Sequence, residues 1–483
     1  MTSIFTNKCL LLLFIGAMSS GLILTCESHA QSRLVTAQQV AFRTAAQIAQ
    51  AGVPVDFDVR FYKITYRTTG VDGQPDTASG ALALPDTSGL VLPMLSYQHG
   101  TVFERDDVPS RVNSESDIGF VAAGLGYAVC LPDYLGLGDS RGFHPYLHAE
   151  TQARAARHLL EAASEYAAPN GVRFSGRLFI SGYSQGGHAT AALHESLNAD
   201  PLDSFTLVAS APLSGPYDMS GITRNDLLDS NAYPVPAYVP YLLTGYQQQY
   251  GNLFQRPSEV FQPPFDSLYA AALSGQDIDL ARLNAQLPRA PVRMLDSAFV
   301  MAVRNDSQHP LNVALRDNDV YDFVPQVPTR FFYCGADRQV APRNSIFTDS
   351  LMNARGAVNV ASRNLNPNFN HGQCVNPAFL ATFAFFDSIA VQLAGQAPNQ
   401  RLTQAAAPWL YYDEQGAVRN HYGKTLDFAL YDLQGRLLRE GRLQPQAQLK
   451  QGPGPSGLYI VHLQDRRQGW SRTRKVRLGV SFH

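Results

Sequence analysis

One stretch near the middle of the chain constrains the fold more than any other feature. Residues 177–188 contain Gly182-Tyr-Ser-Gln-Gly186, which fits the pattern G-x-S-x-G. The apolar residues Leu178–Ser181 predict a short buried strand before the pattern, and the Ala-rich residues His188–Leu197 predict a helix after it. A strand, a sharp turn and a helix in this order are the context in which the pattern forms a nucleophile elbow.

The residue types in the turn indicate a catalytic serine. Because the bend is tight, the positions two before and two after the serine must lack bulk, and Gly182 and Gly186 meet this demand. Ser184 would lie on the bend with its hydroxyl exposed, and the Gln185 N–H would be free to stabilise an oxyanion. The pattern alone arises by chance in glycine-rich chains, so the prediction depends on the flanking strand and helix.

Two downstream motifs supply the partners that a serine nucleophile needs. Thr329–Asp337 reads as a strand that leads to an acidic residue, and Asn370-His-Gly372 precedes a predicted helix. A histidine with an ordinary pKa can take the serine proton, and a carboxylate can hold the imidazole in the required tautomer. We therefore predict Ser184, Asp337 and His371 as the catalytic residues, in the order Ser, Asp, His.

Other acids and histidines fit these roles less well. His188 lies on the helix after Ser184 and is expected to point away from the hydroxyl. Asp319 and Asp322 do not directly follow a strong strand. Four further histidines precede the nucleophile or lie within residues 217–326: His144, His148, His158 and His309.

An earlier loop is predicted to supply the second oxyanion donor. Leu90–Tyr97 reads as a strand, and it is followed by Gln98-His-Gly-Thr101. Glycine after the histidine lets the backbone approach a substrate closely. We predict that the Thr101 N–H completes an oxyanion hole with the Gln185 N–H. The alternative for His99 is an ordinary loop histidine.

Strands and helices alternate through most of the chain. The predicted strands are 55–68, 78–84, 90–97, 127–131, 178–181, 205–209 and 329–337, and the predicted helices are 34–50, 116–124, 151–166, 188–197 and 374–394. This alternation predicts an α/β fold, with a mostly parallel sheet covered by helices on both faces.

The alternation stops between Tyr217 and Gln326. This segment is rich in Pro, Tyr, Phe and Gln, with helical patches within 266–283. We predict that residues 217–326, the cap segment, are an insertion between two parts of the core, 31–216 and 327–396. Its aromatic residues would form an apolar acyl pocket, or alternatively pack the cap segment against the core.

The N-terminus is predicted to be an export signal. Lys8 gives a positive start, Cys9–Leu24 is an almost unbroken apolar run, and Ser28-His-Ala30 ends in a small-x-small cleavage pattern. The run is short for a membrane span. We predict a signal peptide over 1–30, a mature chain from about Gln31 and no transmembrane anchor. A lipidated Cys26 is the alternative, which Thr25 disfavours.

Cleavage there leaves three cysteines, so the mature chain is not a disulfide scaffold. Cys334 lies three residues before Asp337, and Cys374 lies three after His371. If these loops meet, the two cysteines can form a disulfide. The other interpretation is that Cys130, Cys334 and Cys374 are buried free thiols.

The composition of the chain changes after Gln396. Residues 397–408 form an Ala-, Pro- and Gln-rich linker, and short β runs follow at 428–433, 458–463 and 476–480, so 409–483 is predicted to be a small β-sandwich-like domain. From Leu410 onward, twelve Lys and Arg oppose six Asp and Glu. The domain is therefore locally basic.

The whole chain excludes several functional classes. A formal net charge of −2 and a charged content of 16% give no argument for nucleic-acid binding. The histidines and cysteines show no metal-ligand spacing, and no dinucleotide-binding glycine motif follows a strand. We therefore expect no metal, no cofactor and no nucleic-acid partner.

The chain resembles the α/β-hydrolase superfamily, within it the secreted lipases and esterases, over roughly Val55–Ala394. The matching motifs are Tyr97-Gln-His-Gly100, Asp133-Tyr-Leu-Gly-Leu-Gly138 with His144-Pro-Tyr146, Gly182-Tyr-Ser-Gln-Gly-Gly187, Gly335-Ala-Asp337 and Asn370-His-Gly372. The resemblance implies the α/β-hydrolase fold and cleavage of carboxylic esters of lipids, with an insertion that shapes the acyl pocket.

The last seventy or so residues resemble the C-terminal sorting domain of the type IX secretion system. The motifs are Tyr431-Asp-Leu-Gln-Gly435, Gly457-Leu-Tyr-Ile-Val461 and Lys475-Val-Arg-Leu478. This resemblance implies that the secretion machinery is a partner and that the protein reaches the outer cell surface or the medium. A carbohydrate- or protein-binding β-domain is the alternative.

These observations favour a secreted, monomeric serine carboxylic-ester hydrolase that forms an acyl-enzyme on Ser184 and acts on a small ester or a lipid. A serine peptidase or aminopeptidase on the same scaffold is one alternative. A non-catalytic surface-binding protein is the other, and an intact set of Ser184, Asp337 and His371 argues against it.

Overall fold

A computed structural model describes most of the chain. The described residues are 32–272, 280–395, 410–412, 418–420, 425–431, 437–444, 447–449, 457–465 and 470–478. The predicted signal peptide and the predicted linker lie outside these residues.

The main body contains nine strands and twelve helices among the described residues. The strands are β1 (Leu34–Arg43), β2 (Val59–Thr69), β3 (Pro75–Pro85), β4 (Val91–Gln98), β5 (Ala128–Pro132), β6 (Arg173–Tyr183), β7 (Thr206–Leu213), β8 (Thr329–Tyr333) and β9 (Val360–Asn364). The helices are α1 (Ala45–Ile48), α2 (Ser116–Gly124), α3 (Ala149–Ala167), α4 (Gln185–Ala199), α5 (Arg224–Leu227), α6 (Tyr238–Tyr250), α7 (Phe265–Ala272), α8 (Leu280–Gln286), α9 (Ser297–Asn305), α10 (Pro310–Arg316), α11 (Arg343–Ala354) and α12 (His371–Gly395).

The nine strands form one sheet in the order β1-β2-β3-β5-β4-β6-β7-β8-β9. Strands β5, β4, β6, β7, β8 and β9 run parallel, whereas β1, β2 and β3 pair antiparallel at one side. The predicted mostly parallel sheet is confirmed. Loops that leave the carboxyl ends of the parallel strands meet at one edge, which is where ligands bind in such sheets.

Apolar clusters cover both faces of the sheet. On one face, Leu159 of α3 and Leu193 of α4 pack with Ile180 of β6. On the other face, Phe120 of α2 and Phe386 of α12 pack in the cluster that contains Phe179. Ile180 and Phe179 are neighbours on one strand, so their side chains point to opposite faces. Continuous apolar runs in the parallel strands follow from burial on both sides.

The predicted helix over 34–50 is wrong. Residues Leu34–Arg43 are strand β1, which pairs antiparallel with β2, and the range is helical only in α1, Ala45–Ile48, and the short 3-10 helix Ala49–Ala51 that follows it. Most side chains of β1 are exposed, so burial imposes on its sequence neither the period of a strand nor the period of a helix. Pairing with β2 makes this segment a strand, because pairing at the edge of a sheet outweighs a weak local preference for helix.

Strand β9 was not predicted from the sequence. It is short, Val360–Asn364, and pairs only with β8 in the described part of the sheet. Its residues are mostly polar and partly exposed. An apolar run of the kind that marks β6 is therefore missing at this edge.

The cap segment is largely helical, as predicted. It contains helices α5 to α10 and an apolar cluster of its own, with Tyr246, Phe261 and Val303 fully or nearly fully buried. Tyr146 and Leu147 from the core belong to the same cluster. Many of the aromatic residues of the cap segment are therefore packing residues, and the acyl pocket stays a prediction.

The described residues after Gly395 form two antiparallel sheets. Strands β10 (Leu410–Tyr412), β11 (Val418–Asn420) and β14 (Gln448–Leu449) make one sheet, and β12 (Leu426–Tyr431), β13 (Leu437–Leu443), β15 (Gly457–Asp465) and β16 (Trp470–Leu478) make the other in the order β13-β12-β15-β16. Alternate residues Leu426, Phe428 and Leu430 are buried. The C-terminal part is all-β, as predicted.

Candidate active site

Ser184 occupies the sharp turn between β6 and α4. Its backbone has φ 63° and ψ −120°, a conformation that L-residues rarely adopt. The Ser184 N–H donates to the carbonyl oxygen of Leu213 at the end of β7, at 2.9 Å. Only 8% of the residue is exposed. The turn is therefore fixed by a bond to the neighbouring strand, and strained residues of this kind cluster at functional sites.

Glycines make the turn possible through close packing of backbones. A Cβ at Gly182 or at Gly186 would collide with the carbonyl oxygen of Gln98 at the end of β4. The two glycines thus let the elbow lie directly against the neighbouring strand. This is the physical reason for the residue pattern that the sequence displays.

Asp337 and His371 are hydrogen-bonded to each other. His371 Nδ1 lies 2.6 Å from Asp337 Oδ2, and both side chains are largely buried. Asp337 Oδ1 accepts the backbone N–H groups of Gln339 and Val340, each at 2.9 Å. The carboxylate is therefore held on both oxygens, and one of them fixes the orientation of the imidazole ring.

The other nitrogen of the ring is uncommitted. His371 Nε2 is buried and makes no hydrogen bond to any described residue. No hydrogen bond joins it to Ser184 in this structure. Tyr183 connects the two residues instead: its hydroxyl donates to the His371 carbonyl oxygen at 2.7 Å, and the two rings lie 4.9 Å apart. His371 thus contacts the residue that precedes Ser184, and the sequence did not indicate this contact.

A disulfide joins Cys334 and Cys374. Cys334 follows β8, and Cys374 lies in the first turn of α12. Both cysteines are fully buried. Of the two interpretations left open by the sequence, the bridge is the one in the structure, and Cys130 is a free, buried cysteine. The bridge ties together the two segments that carry Asp337 and His371.

The predicted oxyanion donors lie on the loop after β4 and at the start of α4. Gln185 is the first residue of α4, and the first N–H groups of a helix have no acceptor within the helix. The Thr101 hydroxyl is 3.0 Å from the Tyr146 hydroxyl. This contact holds the loop of Thr101 against Tyr146, which belongs to the apolar cluster of the cap segment. Tyr134 donates to the His99 carbonyl oxygen at 2.9 Å and fixes the same loop.

Two alternative residues have other partners. The ring nitrogens of His188 lie 2.9 Å from Gln152 Oε1 and from the Asn318 carbonyl oxygen. Asp319 accepts the N–H and the hydroxyl of Ser220. Neither residue contacts Ser184 or His371 through a hydrogen bond.

A cavity lies beside Ser184. It measures about 510 Å³ with the open space at its mouth. Most of its wall is apolar or aromatic, and the lining residues are Tyr146, Leu147, Ser184, Gln185, Pro216, Thr223, Asp226, Leu227, Tyr233, Tyr238, Leu242, Gln339, Val340, Ala341 and Asn344. Core loops and the cap segment both contribute. An apolar pocket with a few polar groups next to a candidate nucleophile fits an organic substrate.

Among the described residues, no cluster of His, Cys, Asp and Glu side chains could hold a metal ion. In the same part of the chain, every helix is too short or too polar to cross a membrane.

Comparison with known proteins rests on structure. No family model matches the chain, and no curated protein matches it by sequence. Among solved structures, a candidate hydrolase of Legionella pneumophila is similar, with 27% identity, coverage of 74% of this chain and 98% of that chain, and a TM-score of 0.68. The rice cell wall degrading esterase LipA of Xanthomonas oryzae, in a ligand-bound form, has 28% identity, coverage of 73% and 95%, and a TM-score of 0.65.

A more distant similarity concerns the fold alone. Candida antarctica lipase A in its closed state is 15% identical, with coverage of 78% of this chain and 87% of that chain and a TM-score of 0.58. The fold is thus shared at an identity that carries no information about substrate. Together these neighbours support a hydrolase of the lipase or esterase kind, and the chain has the α/β-hydrolase fold.

Proposed function

We propose that the protein is a secreted serine carboxylic-ester hydrolase that acts through an acyl-enzyme on Ser184. The observation that carries the proposal is the Asp337–His371 hydrogen bond of 2.6 Å. Tyr183, which donates a hydrogen bond to the His371 carbonyl oxygen, directly precedes Ser184 at the strained elbow. A buried acid, an oriented histidine with a free Nε2 and a serine at a nucleophile elbow are the parts that acyl transfer requires.

In the proposed first step, Ser184 Oγ attacks the ester carbonyl carbon while His371 Nε2 takes the hydroxyl proton. Asp337 keeps Nδ1 protonated and stabilises the imidazolium without taking its proton. The N–H groups of Gln185 and Thr101 are the proposed donors to the oxyanion. The imidazolium then protonates the leaving alcohol, and the carbon–oxygen bond of the ester breaks to leave the acyl group on Ser184.

In the second step, water replaces the alcohol. His371 takes a proton from the water as it attacks the acyl-enzyme, and the same oxyanion donors act again. Return of that proton to Ser184 Oγ releases the carboxylic acid. The tight elbow supports both steps, because it keeps the serine fixed while the substrate groups exchange.

We propose that the substrate is a small ester or a lipid. The apolar and aromatic cavity wall next to Ser184 supports it. The LipA neighbour is named for degrading rice cell walls, and an esterase that acts on a polymer-linked ester is compatible with a cavity that is open at its mouth.

We also propose that the protein is exported. The sequence at 1–30 favours a cleaved signal peptide, and the Cys334–Cys374 disulfide favours an oxidising compartment. We further propose that residues 409–483 engage a type IX secretion machinery and that the mature enzyme is a monomer without a membrane anchor. N-terminal sequencing of protein from the culture medium tests the signal peptide, with Gln31 as the expected first residue.

The catalytic proposal is tested with the chain from Gln31 to His483. Hydrolysis of p-nitrophenyl esters of increasing acyl length and of aminoacyl amides is compared between the wild type and Ser184→Ala. Ser210→Ala is the matched control, because its hydroxyl is buried and forms no hydrogen bond with the described residues. Ester turnover that is lost only in Ser184→Ala supports the proposal. Amide turnover alone would favour a peptidase, and no turnover by folded protein would favour a binding protein.

A further inference from the structure

A buried histidine lies in the loop that follows β4, and the mechanism described above gives it no role. His99 is fully buried, and its ring faces two carbonyl oxygens. Nδ1 lies 2.7 Å from the Gly100 oxygen, and Nε2 lies 3.2 Å from the main-chain oxygen of Asp133. A carbonyl oxygen can only accept, whereas a neutral imidazole has one donor and one acceptor nitrogen. Both contacts are therefore hydrogen bonds only if the ring carries two protons and a positive charge.

Asp133 supplies the negative charge that a buried imidazolium requires. It follows β5, the neighbour of β4 in the sheet, and it is also fully buried. Its Oδ1 accepts the Ser110 N–H at 2.9 Å, and its Oδ2 accepts the Ser79 hydroxyl at 2.6 Å. The Asp139 N–H donates to the same Ser79 oxygen at 2.9 Å, which leaves the hydroxyl hydrogen for Asp133. A carboxyl group that accepts on both oxygens is ionised.

The titratable groups around His99 are consistent with a positive ring. Burial raises the pKa of Asp133, and the two hydrogen bonds that it accepts and a positive His99 oppose this shift. Burial, with a smaller effect of a positive His99, lowers the pKa of His144 to about 3, so that ring stays neutral. Tyr134, whose ring lies 4.2 Å from that of His99, keeps its proton because burial raises its pKa. A second carboxylate, Glu115, lies beside the same loop.

The His99 ring orients the peptide group that joins Gly100 to Thr101. This peptide bond is trans, so its carbonyl and its N–H point in opposite directions. A ring nitrogen that holds the Gly100 oxygen on one side therefore directs the Thr101 N–H to the other side. Tyr134 holds the preceding peptide group in the same way, because its hydroxyl donates to the His99 carbonyl oxygen at 2.9 Å. Neither the Gly100 N–H nor the Thr101 N–H donates to a backbone group of the described residues.

The loop lies directly against the elbow that carries Ser184. A Cβ at Gly186 would lie 2.8 Å from the His99 carbonyl oxygen, and a Cβ at Gly100 would lie 3.7 Å from the Tyr183 carbonyl oxygen. The loop thus contacts residues on both sides of Ser184 in the sequence. A charge-assisted hydrogen bond to the Gly100 oxygen also polarises its peptide group, which makes the N–H of that group a stronger donor.

We propose that His99 is an imidazolium that positions the Thr101 N–H for the oxyanion, with Asp133 as its buried counter-ion. His99 is a positioning residue, because it acts through a backbone group and not on the substrate. This inference rests on the proposed ester hydrolysis and adds to it a charged support behind the oxyanion hole. In a neutral ring, one nitrogen would direct its lone pair at a carbonyl oxygen 2.7 or 3.2 Å away, which is repulsive.

The charge of His99 can be measured without a substrate. In protein labelled with ¹⁵N at its histidines, the chemical shifts of the two ring nitrogens distinguish an imidazolium from either neutral tautomer. The His99 signals are identified by their absence from His99→Gln. At about pH 7.5 an unperturbed histidine is mostly neutral, whereas we expect His99 to hold both protons. In Asp133→Asn, which removes the counter-charge, it should be neutral. A neutral His99 in the wild type would overturn the inference.

Hydrolysis of p-nitrophenyl hexanoate tests the positioning role. His99→Phe keeps an aromatic ring against Tyr134 and removes both donors. We expect kcat to fall by about 100-fold with KM within about three-fold, because an oxyanion donor acts mainly in the transition state. His99→Gln retains one neutral donor, so its kcat should fall by only about ten-fold. His194→Phe is the matched control, because it removes another fully buried histidine, outside the cavity wall, and should leave kcat unchanged.

Two inhibitors separate positioning from a general loss of packing. An alkyl trifluoromethyl ketone forms an oxyanion on Ser184, so its inhibition constant should rise in His99→Phe in proportion to the loss of kcat/KM. Hexanamide binds without forming an oxyanion, and its inhibition constant should stay within about two-fold. An unchanged kcat in His99→Phe, or an equal weakening of both inhibitors, would overturn the inference alone. Absence of all ester hydrolysis by the wild type would instead overturn the proposed function.

Discussion

Backbone strain at Ser184 and the proposed chemistry depend on the same few bonds. A non-glycine residue at φ 63° and ψ −120° raises the energy of the folded state by roughly 1–3 kcal/mol. The bond from Ser184 N–H to Leu213 and the packing of glycine against Gln98 hold that conformation. A serine constrained in this way presents its hydroxyl in one direction, which is the pre-organisation that a nucleophile needs.

Strain at this position predicts an order of stability among inactive variants. Ser184→Gly should be more stable than Ser184→Ala by about 1 kcal/mol, because glycine adopts the left-handed conformation without a Cβ clash. Urea unfolding of both variants at neutral pH measures the difference. Equal stability, or a more stable alanine variant, would mean that the turn relaxes in solution.

Substitution of Asp337 tests whether its carboxylate sets the tautomer of His371. In the proposed mechanism, Asp337→Asn would donate to His371 Nδ1 and so favour the tautomer with its proton on Nε2, which cannot accept from Ser184. We expect kcat to fall by about 10³–10⁴-fold at neutral pH with the fold intact. Asp319→Asn is the control, since Asp319 bonds Ser220 and not His371. A decrease of less than ten-fold in Asp337→Asn would contradict the assigned role.

At the scale of elements, the disulfide is the main covalent constraint on the site. Cys334 and Cys374 are separated by 40 residues. Closing a loop of this length restricts the unfolded chain and stabilises a protein by about 4 kcal/mol in the chain-entropy account. The bridge lies three residues from Asp337 and three from His371, so it also limits how far the acid and the base can move apart.

The double variant Cys334→Ala/Cys374→Ala should therefore unfold with a free energy lower by about 4 kcal/mol and lose activity at a lower temperature than the wild type. Cys130→Ala serves as the control for the loss of a buried cysteine, because Cys130 is not bridged. Should the double variant match the control in both unfolding and activity, the bridge would have no part in holding the site.

Prediction from sequence works best for elements that are buried on both faces. Strand β6 and helix α4 carry apolar runs and glycines whose spacing follows directly from packing. Strand β1 was predicted as a helix, and β9 was missed, because both are edge strands whose residues are largely exposed or only partly buried. Their structure comes from pairing with β2 and β8, and pairing between distant segments leaves no periodic signal in the chain.

The same limit applies within the site. The order of Ser184, Asp337 and His371 can be read from motifs next to strands and helices. The contact of Gln185 with His144 cannot, because it joins a core helix to a loop 41 residues away. Thr223 carries no motif at all, and only the folded cap segment brings it to the cavity.

Across the whole molecule, buried histidines link stability to pH. Burial lowers the pKa of five of them: His144, His158 and His194 to about 3, and His148 and His188 to about 4. In the unfolded chain these groups bind protons below about pH 6.5. Between pH 6.5 and about 3 the unfolded state therefore binds more protons than the folded state, and the free energy of unfolding falls as pH falls.

His194 isolates one part of this effect. Both of its ring nitrogens are buried and form no hydrogen bond with any residue that the structure describes, and its ring packs against Phe323. His194→Leu should lessen the loss of stability between pH 7 and pH 5 by about 2 kcal/mol, because one fewer group must be kept neutral. Urea unfolding at both pH values measures the change. An unaltered pH dependence would show that His194 does not stay neutral in the folded protein.

Covalent labelling with a phosphonate tests directly whether Ser184 is the nucleophile. The chain from Gln31 to His483 is treated with a p-nitrophenyl alkylphosphonate, which reacts with an activated serine and releases p-nitrophenol, and the modified residue is located by peptide mass spectrometry. The assignment of Ser184 as the nucleophile predicts one phosphonate per chain, on Ser184, with loss of ester hydrolysis in proportion to labelling and no labelling in His371→Ala. Hydrolysis that persists in fully labelled protein, or a label on another residue that tracks the loss of activity, would contradict it.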